Sequence, residues 1–245
     1  MAVSTARLTK MVVEQLTEAL AAEGFVSSEP LDSAGGSEPG TRTPSWTSVW
    51  FIAPDSGVPH MTAAVEAYIQ RGNYGGVGIT ARAWIVSSAV EDVLRGFSAD
   101  ALAKGGWDLN YMEAVNFGFF ERPLDPGEIS VGGEPGVVHA VGEFMRLLRG
   151  PVAEWFSRFG DSSKLLEVAR AASTQGMDRE NPHPVLLRAV VVLSVLNGRV
   201  GDSATLMDWY LRRDVFHKWD SLDRALAFDA EMSRRFPQYA QARGH

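Results

Sequence analysis

The stretch Tyr68–Trp84, "YIQRGNYGGVGITARAW", decides how the chain is read. Its glycines, Gly72, Gly75, Gly76 and Gly78, either cradle a phosphate or turn a chain. A phosphate loop needs a strand before the glycines and a helix N-terminus after them, so that free N–H groups point at the anion. The residues after these glycines instead alternate with period two: Val77, Ile79, Ala81, Ala83 and Ile85 against Gly78, Thr80, Arg82, Trp84 and Val86. The preceding segment, residues 62–70, alternates as well, with Val65, Ala67 and Ile69 on one side and Glu66, Tyr68 and Gln70 on the other. The Gly-Lys-Ser/Thr ending of a P-loop is missing. The stretch is therefore a β-hairpin, and no nucleotide site is expected on it.

Upstream of the hairpin, residues 45–52, "SWTSVWFI", form another strand, aromatic and β-branched. Residues 113–122 are a candidate fourth. Nearer the N-terminus, Leu8, Met11, Val12, Leu16, Ala19 and Leu20 repeat at helical spacing over residues 5–23. Ser4 or Thr5 caps the start of that helix, and Gly24 suits a left-handed end. Residues 27–45 and 122–136 are rich in Ser, Gly, Pro and Glu and read as loops. Helical signals fill residues 89–106 and everything from Val137 onward, with a break at Gly150-Pro151. Asp161, Asp202 and Asp220 are candidate caps. Residues 184–198, "PVLLRAVVVLSVLNG", are apolar nearly all round, the mark of a buried helix.

Strands thus gather in the first half and helices in the second. The fold class is α+β: an antiparallel sheet of three to four strands packed with helices, followed by a helical C-terminal half. Residues 1–170 form the α+β domain and 171–245 a helical extension packed on it, or the two make one domain.

The bulk numbers narrow function. The chain has 245 residues, 45% hydrophobic and 22% charged, an ordinary globular composition. The absence of cysteine rules out disulfides and thiolate metal sites. A net charge of −7, with no Lys/Arg run longer than two, disfavours nucleic acid and anionic membranes as partners. The apolar run of residues 189–196 is too short to span a bilayer, and the N-terminus lacks a signal peptide's apolar core. A cytoplasmic location is the expectation.

Motifs for chemistry are sparse. None of the five histidines, His60, His139, His183, His217 and His245, lies three or four residues from another, so each reads as a surface or structural residue and no metal site is expected. There is no Gly-x-Ser-x-Gly elbow, EF-hand loop, kinase signature or dinucleotide fingerprint. No catalytic residue and no cofactor is assigned. The one constellation is a sheet face carrying Glu66, Tyr68, Arg82 and Trp84, with Gln70 and Thr80. Trp46 and Trp50 share a face of their own strand, and register decides whether it is the same one. Such a face is a recognition surface if it stays open. If helices cover it, the tryptophans are core.

Further pieces bear a likeness. Gly24-Phe25 closes the first helix, Trp50 sits in the first long strand, and Trp155-Phe156-Ser157-Arg158-Phe159 precedes a short helix with Leu165-Leu166. In this order, over residues 5–170, the chain resembles a bacterial family of uncharacterised α+β proteins, some of whose members are presumed immunity proteins of secreted toxins. The resemblance implies a non-catalytic binding protein, and the acidic charge suits a basic protein partner. A small-ligand-binding protein or enzyme using the aromatic and arginine face is the alternative.

Overall fold

A computed structural model describes residues 4–29, 46–53, 57–72, 76–104, 111–122, 125–172 and 180–244. Most of the first expected loop, residues 30–45, lies outside them. The chain divides into two compact units: residues 1–56, 62–85 and 114–157, and residues 57–61, 86–113 and 158–245.

The first unit holds most of the expected antiparallel sheet, which has more strands than expected; residues 86 and 111–113 of it are counted with the second unit. Strands β1 (Val26–Ser28), β2 (Trp46–Ile52), β3 (Thr62–Arg71), β4 (Val77–Val86) and β5 (Tyr111–Asn116) lie in that order, and β6 (Ile129–Val131) also pairs with β4. The additions β1 and β6 are three residues each; β1 falls at the margin of one segment read as a loop and β6 inside the other. Three residues are too few for alternation to register against a Gly/Ser/Pro background. The fourth strand ends early: β5 stops at Asn116, and Phe117–Phe120 turn into a short 3-10 helix.

The β3–β4 hairpin is present as read. Gly76 has φ 75°, and the Gly72 N–H donates to the Gly76 carbonyl at 3.3 Å; residues 73–75 between them lie outside the described residues. The apolar alternates Val65, Ala67, Ile69, Ile79, Ala81, Ala83 and Ile85 are all buried. Helix α1 (Thr5–Ala22) buries Leu8, Val12, Leu16 and Leu20, one residue per turn, and is capped by the Ser4 hydroxyl. It packs on α3 (Glu134–Leu147) and on β1, β2 and β3. The Phe117 and Phe144 rings, 5.1 Å apart, bind the 3-10 turn to α3. At Gly150-Pro151 the helix breaks as expected: Gly150 leaves helical geometry, and α4 (Ala153–Ser157) resumes after one π-type turn.

The second unit is mainly helical. The segment 89–106 read as helix is two pieces, α2 (Ser88–Leu94) and a 3-10 turn at Ala99–Ala101; residues 105–110 lie outside the described residues. Then come α5 (Ser162–Arg170), α6 (Pro184–Leu196), α7 (Val200–Leu211), α8 (Leu222–Arg235) and α9 (Pro237–Arg243). Helix α6 is buried from Pro184 to Val195, in contact with α2, α5 and α7. Its composition required this, since it has no polar face to offer water.

Two expected caps are replaced. Ser221, not Asp220, caps α8, and α7 starts at Val200 with Asp202 inside its first turn. Asp220 is engaged elsewhere: one oxygen accepts from the Arg188 guanidinium at 2.6 Å and the other from the Tyr210 hydroxyl at 2.7 Å. Burial pushes the Arg188 guanidinium downward from its ordinary range, and Asp220 opposes the shift. Asp161 caps α5 as read, its carboxylate accepting from the Ser163 N–H at 2.7 Å. Among the described residues no helix is long and apolar enough to cross a membrane.

Candidate functional site

Register brings the two tryptophans of β2 onto the face in question. Trp46 pairs with Gln70, Ser48 with Tyr68, and Trp50 with Glu66. Directly opposed residues of neighbouring strands point to the same side. Trp46, Ser48 and Trp50 therefore share a face with Glu66, Tyr68 and Gln70, and the rings of Trp50 and Trp84 lie 5.6 Å apart across it. All six residues singled out from sequence, Trp46, Trp50, Glu66, Tyr68, Arg82 and Trp84, are on one face of one sheet.

Their exposure is graded. Trp50 and Glu66 are buried at 6% and 5%, whereas Trp46 is 50% exposed. Tyr68, Arg82 and Trp84 are half-buried. Trp84 and Arg82 are thus not sealed, and only the inner part of the face is core.

The polar contacts fix the inner groups. The Ser48 hydroxyl donates to Glu66 Oε1 at 2.8 Å. Glu66 Oε2 is buried without a hydrogen bond of good geometry, although the Tyr68 hydroxyl and Trp84 indole lie close enough to favour its charge. Burial wins, and the Glu66 carboxyl is held above the usual range; Tyr68, Ser48, Arg82 and Trp84 oppose the shift. Tyr68 is pushed upward too, first by burial and then by Glu66, so its phenol keeps its proton. The Arg82 guanidinium stacks over Trp84, 5.1 Å from the ring centre, and its Nε donates to Asn116 Oδ1 at 3.2 Å.

Two partners escaped the sequence reading. Asn116 ends β5 and holds Arg82; nothing local marks it. Glu128, just before β6, reaches the face because Gly78 has no side chain. A Cβ at Gly78 would lie 2.5 Å from the Glu128 carboxyl carbon. Glu128 fills that space and accepts from the Gln70 amide at 3.4 Å.

In the second unit, the two histidines His183 and His217, far apart in sequence, meet at 5.5 Å between ring centres, with Trp219 and Tyr111 against His183. Burial, then the neighbouring His217, pushes His183 down to about 4, so it is a neutral ring at ordinary pH. An open groove beside α5 is lined by Arg158, Lys164, Glu167, Val168 and Ala171, a mixture of charges with no convergent chemistry. Among the described residues no group of three or more His, Cys, Asp or Glu is placed to hold a metal ion.

Fold and site together describe an α+β protein whose sheet presents a partly open aromatic face with one guanidinium and two carboxylates. Comparison with protein-family models, with curated proteins and with solved structures finds no match for this chain.

Proposed function

We propose that this is a non-catalytic binding protein, immunity-like in its role, whose basic protein partner docks on the Trp46–Tyr68–Arg82–Trp84 face. One observation carries the reading: rigid aromatics and an arginine converge on a face that remains partly open, with Trp46 half in solvent. Tryptophan, tyrosine and arginine contribute most to protein interfaces; the two aromatics bury much surface at little conformational cost, and arginine adds a planar fork of donors. The Trp50–Trp84 ring contact and the Ser48–Glu66 bond preset the geometry, so less ordering is needed on binding. The charge of −7 favours encounter with a basic partner. Catalysis has less support. Tyr68 is held protonated, and the histidine pair belongs to the other unit. A small-ligand role is the second reading, favoured by the Glu66 carboxyl being held toward neutrality among aromatic rings.

The test is capture with the intact protein as bait at low and moderate salt, read by mass spectrometry, beside Trp46→Ala and Arg82→Ala baits. A basic protein retained by wild type, weakened by salt and lost from both variants is the expected result. A partner held equally by all three baits rejects this face as the interface. A blank in every lane shifts weight to a small ligand, sought next by thermal-shift screening.

A further inference from the structure

Resting on the reading of this face as a protein-binding surface, we infer that its rim, formed by Trp46, Gln70 and Glu128, receives a lysine or arginine side chain of the partner.

Three features place the site there. Trp46 and Gln70 are direct cross-strand partners, and Gln70 donates to Glu128, so indole, amide and carboxylate are contiguous. Trp46 is 50% exposed and Glu128 is exposed, so the rim is reachable without displacing any inner residue. The empty space over Gly78 is what lets Glu128 lie across β4 toward β3. A loop carboxylate is thereby held on a rigid sheet, against the Gln70 amide that pairs across the strands with Trp46.

Charge selects the occupant. Deeper on the face, Arg82 interacts with Glu66 and stacks on Trp84, so that end already holds its own cation. At the rim, no lysine or arginine among the described residues pairs with Glu128. Its visible partner is a neutral amide at a long 3.4 Å. A long cationic side chain laid over the Trp46 ring and across Gln70 would meet the negative π face and reach the carboxylate, an arrangement worth more than either contact alone. An anionic side chain would face Glu128 and gain nothing from the ring. The Gln70 amide oxygen, which is not the atom bonded to Glu128, would accept a further N–H from a guanidinium.

The experiment uses the full chain labelled with ¹⁵N. An acetylated, amidated arginine–glycine peptide is titrated to millimolar concentration. The control is the same peptide with citrulline, a neutral isostere, in place of arginine. The Trp46 indole N–H is identified by its loss in Trp46→Phe. Expected are shifts of the Trp46 indole and Gln70 side-chain amide with the arginine peptide, absent with citrulline and diminished by salt. Glu128→Gln should weaken the affinity about threefold to fivefold. Gly78→Ala, which expels the Glu128 side chain from its space, should do the same without touching Trp46. Because Glu128 is exposed, unchanged spectra away from the rim will show that Glu128→Gln is folded. No shift at millimolar peptide, an equal response to citrulline, or full affinity in both variants overturns the inference.

The two readings fail separately. If a captured partner is lost from Trp46→Ala but indifferent to Glu128→Gln, the binding face stands and the cation site falls. If the arginine peptide binds the rim yet no captured protein depends on Trp46, the cation site stands and the proposed function falls.

Discussion

Arg188 and Asp220 show what one residue does inside this protein. The Arg188 side chain is 2% exposed and lies over the Phe228 ring at 5.4 Å. Its carboxylate partner also holds the Tyr210 hydroxyl and the Ser221 N–H. Such a pair gains little over an apolar substitute, but half of it left alone is costly. Asp220→Ala is therefore expected to cost about 3–5 kcal/mol in urea unfolding. The double variant Arg188→Met/Asp220→Asn should recover most of that loss, because it leaves no unpaired buried charge. Equal losses in the single and double variants would reject the argument. Sequence showed Asp220 only as a cap candidate, since its true partners are ten and thirty-two positions away. By contrast, Glu66, Tyr68, Arg82 and Trp84 were legible as one face, because alternation along a strand is a local property. Glu128 was not, because it arrives from a loop through a vacancy that Gly78 makes on another strand.

Among the elements, the hairpin turns on Gly76. Its φ is 75°, and a Cβ there would stand 2.1 Å from the Val131 carbonyl oxygen, a backbone atom that cannot swing aside. Gly76→Ala thus meets both an unfavourable dihedral and a clash with β6. We expect a loss of about 2–3 kcal/mol by chemical denaturation. Gly78→Ala, which meets only a movable side chain, should cost well under half as much; a reversed order would show that the turn is not what holds β6 in place. The element boundaries that sequence missed share a cause. The strands β1 and β6 are short, and β5 yields after Asn116 because Phe117 is taken up by Phe144 of α3. Packing by a distant helix overrides the local preference of an aromatic run for strand. The aromatic segment behind the family resemblance is also packing: Trp155 and Phe159 are buried at 4% and 1%.

Acid stability belongs to the molecule entire, and His183 gives it a direction. The folded protein holds this ring down to about 4 from an ordinary 6.5. Between those values the unfolded chain takes up a proton that the folded chain refuses. Stability therefore falls as pH drops through this window, by about 3 kcal/mol in total from this residue. His183→Phe, which keeps an aromatic ring against Tyr111 and Trp219, should flatten the curve of urea midpoints from pH 7 to pH 4. A variant curve parallel to that of wild type would reject the assignment. The charge of −7 is also a property of the whole chain, and under the proposed function it predicts that capture of a basic partner weakens with salt.

Three features were readable from the order of residues: the α+β class, the hairpin rather than a phosphate loop at Tyr68–Trp84, and the buried helix that begins at Pro184 and ends before Asn197-Gly198. These rest on periodicity, turn chemistry and composition, which act between neighbours in the chain. Folding was needed to bring Trp46 and Trp50 onto the face of Trp84, because register is set by pairing between strands. Folding also placed Asn116 and Glu128 on that face, joined Arg188 to Asp220, and brought His183 against His217. Each of these is a contact across many residues, and no local pattern encodes which distant partner will fill a given space.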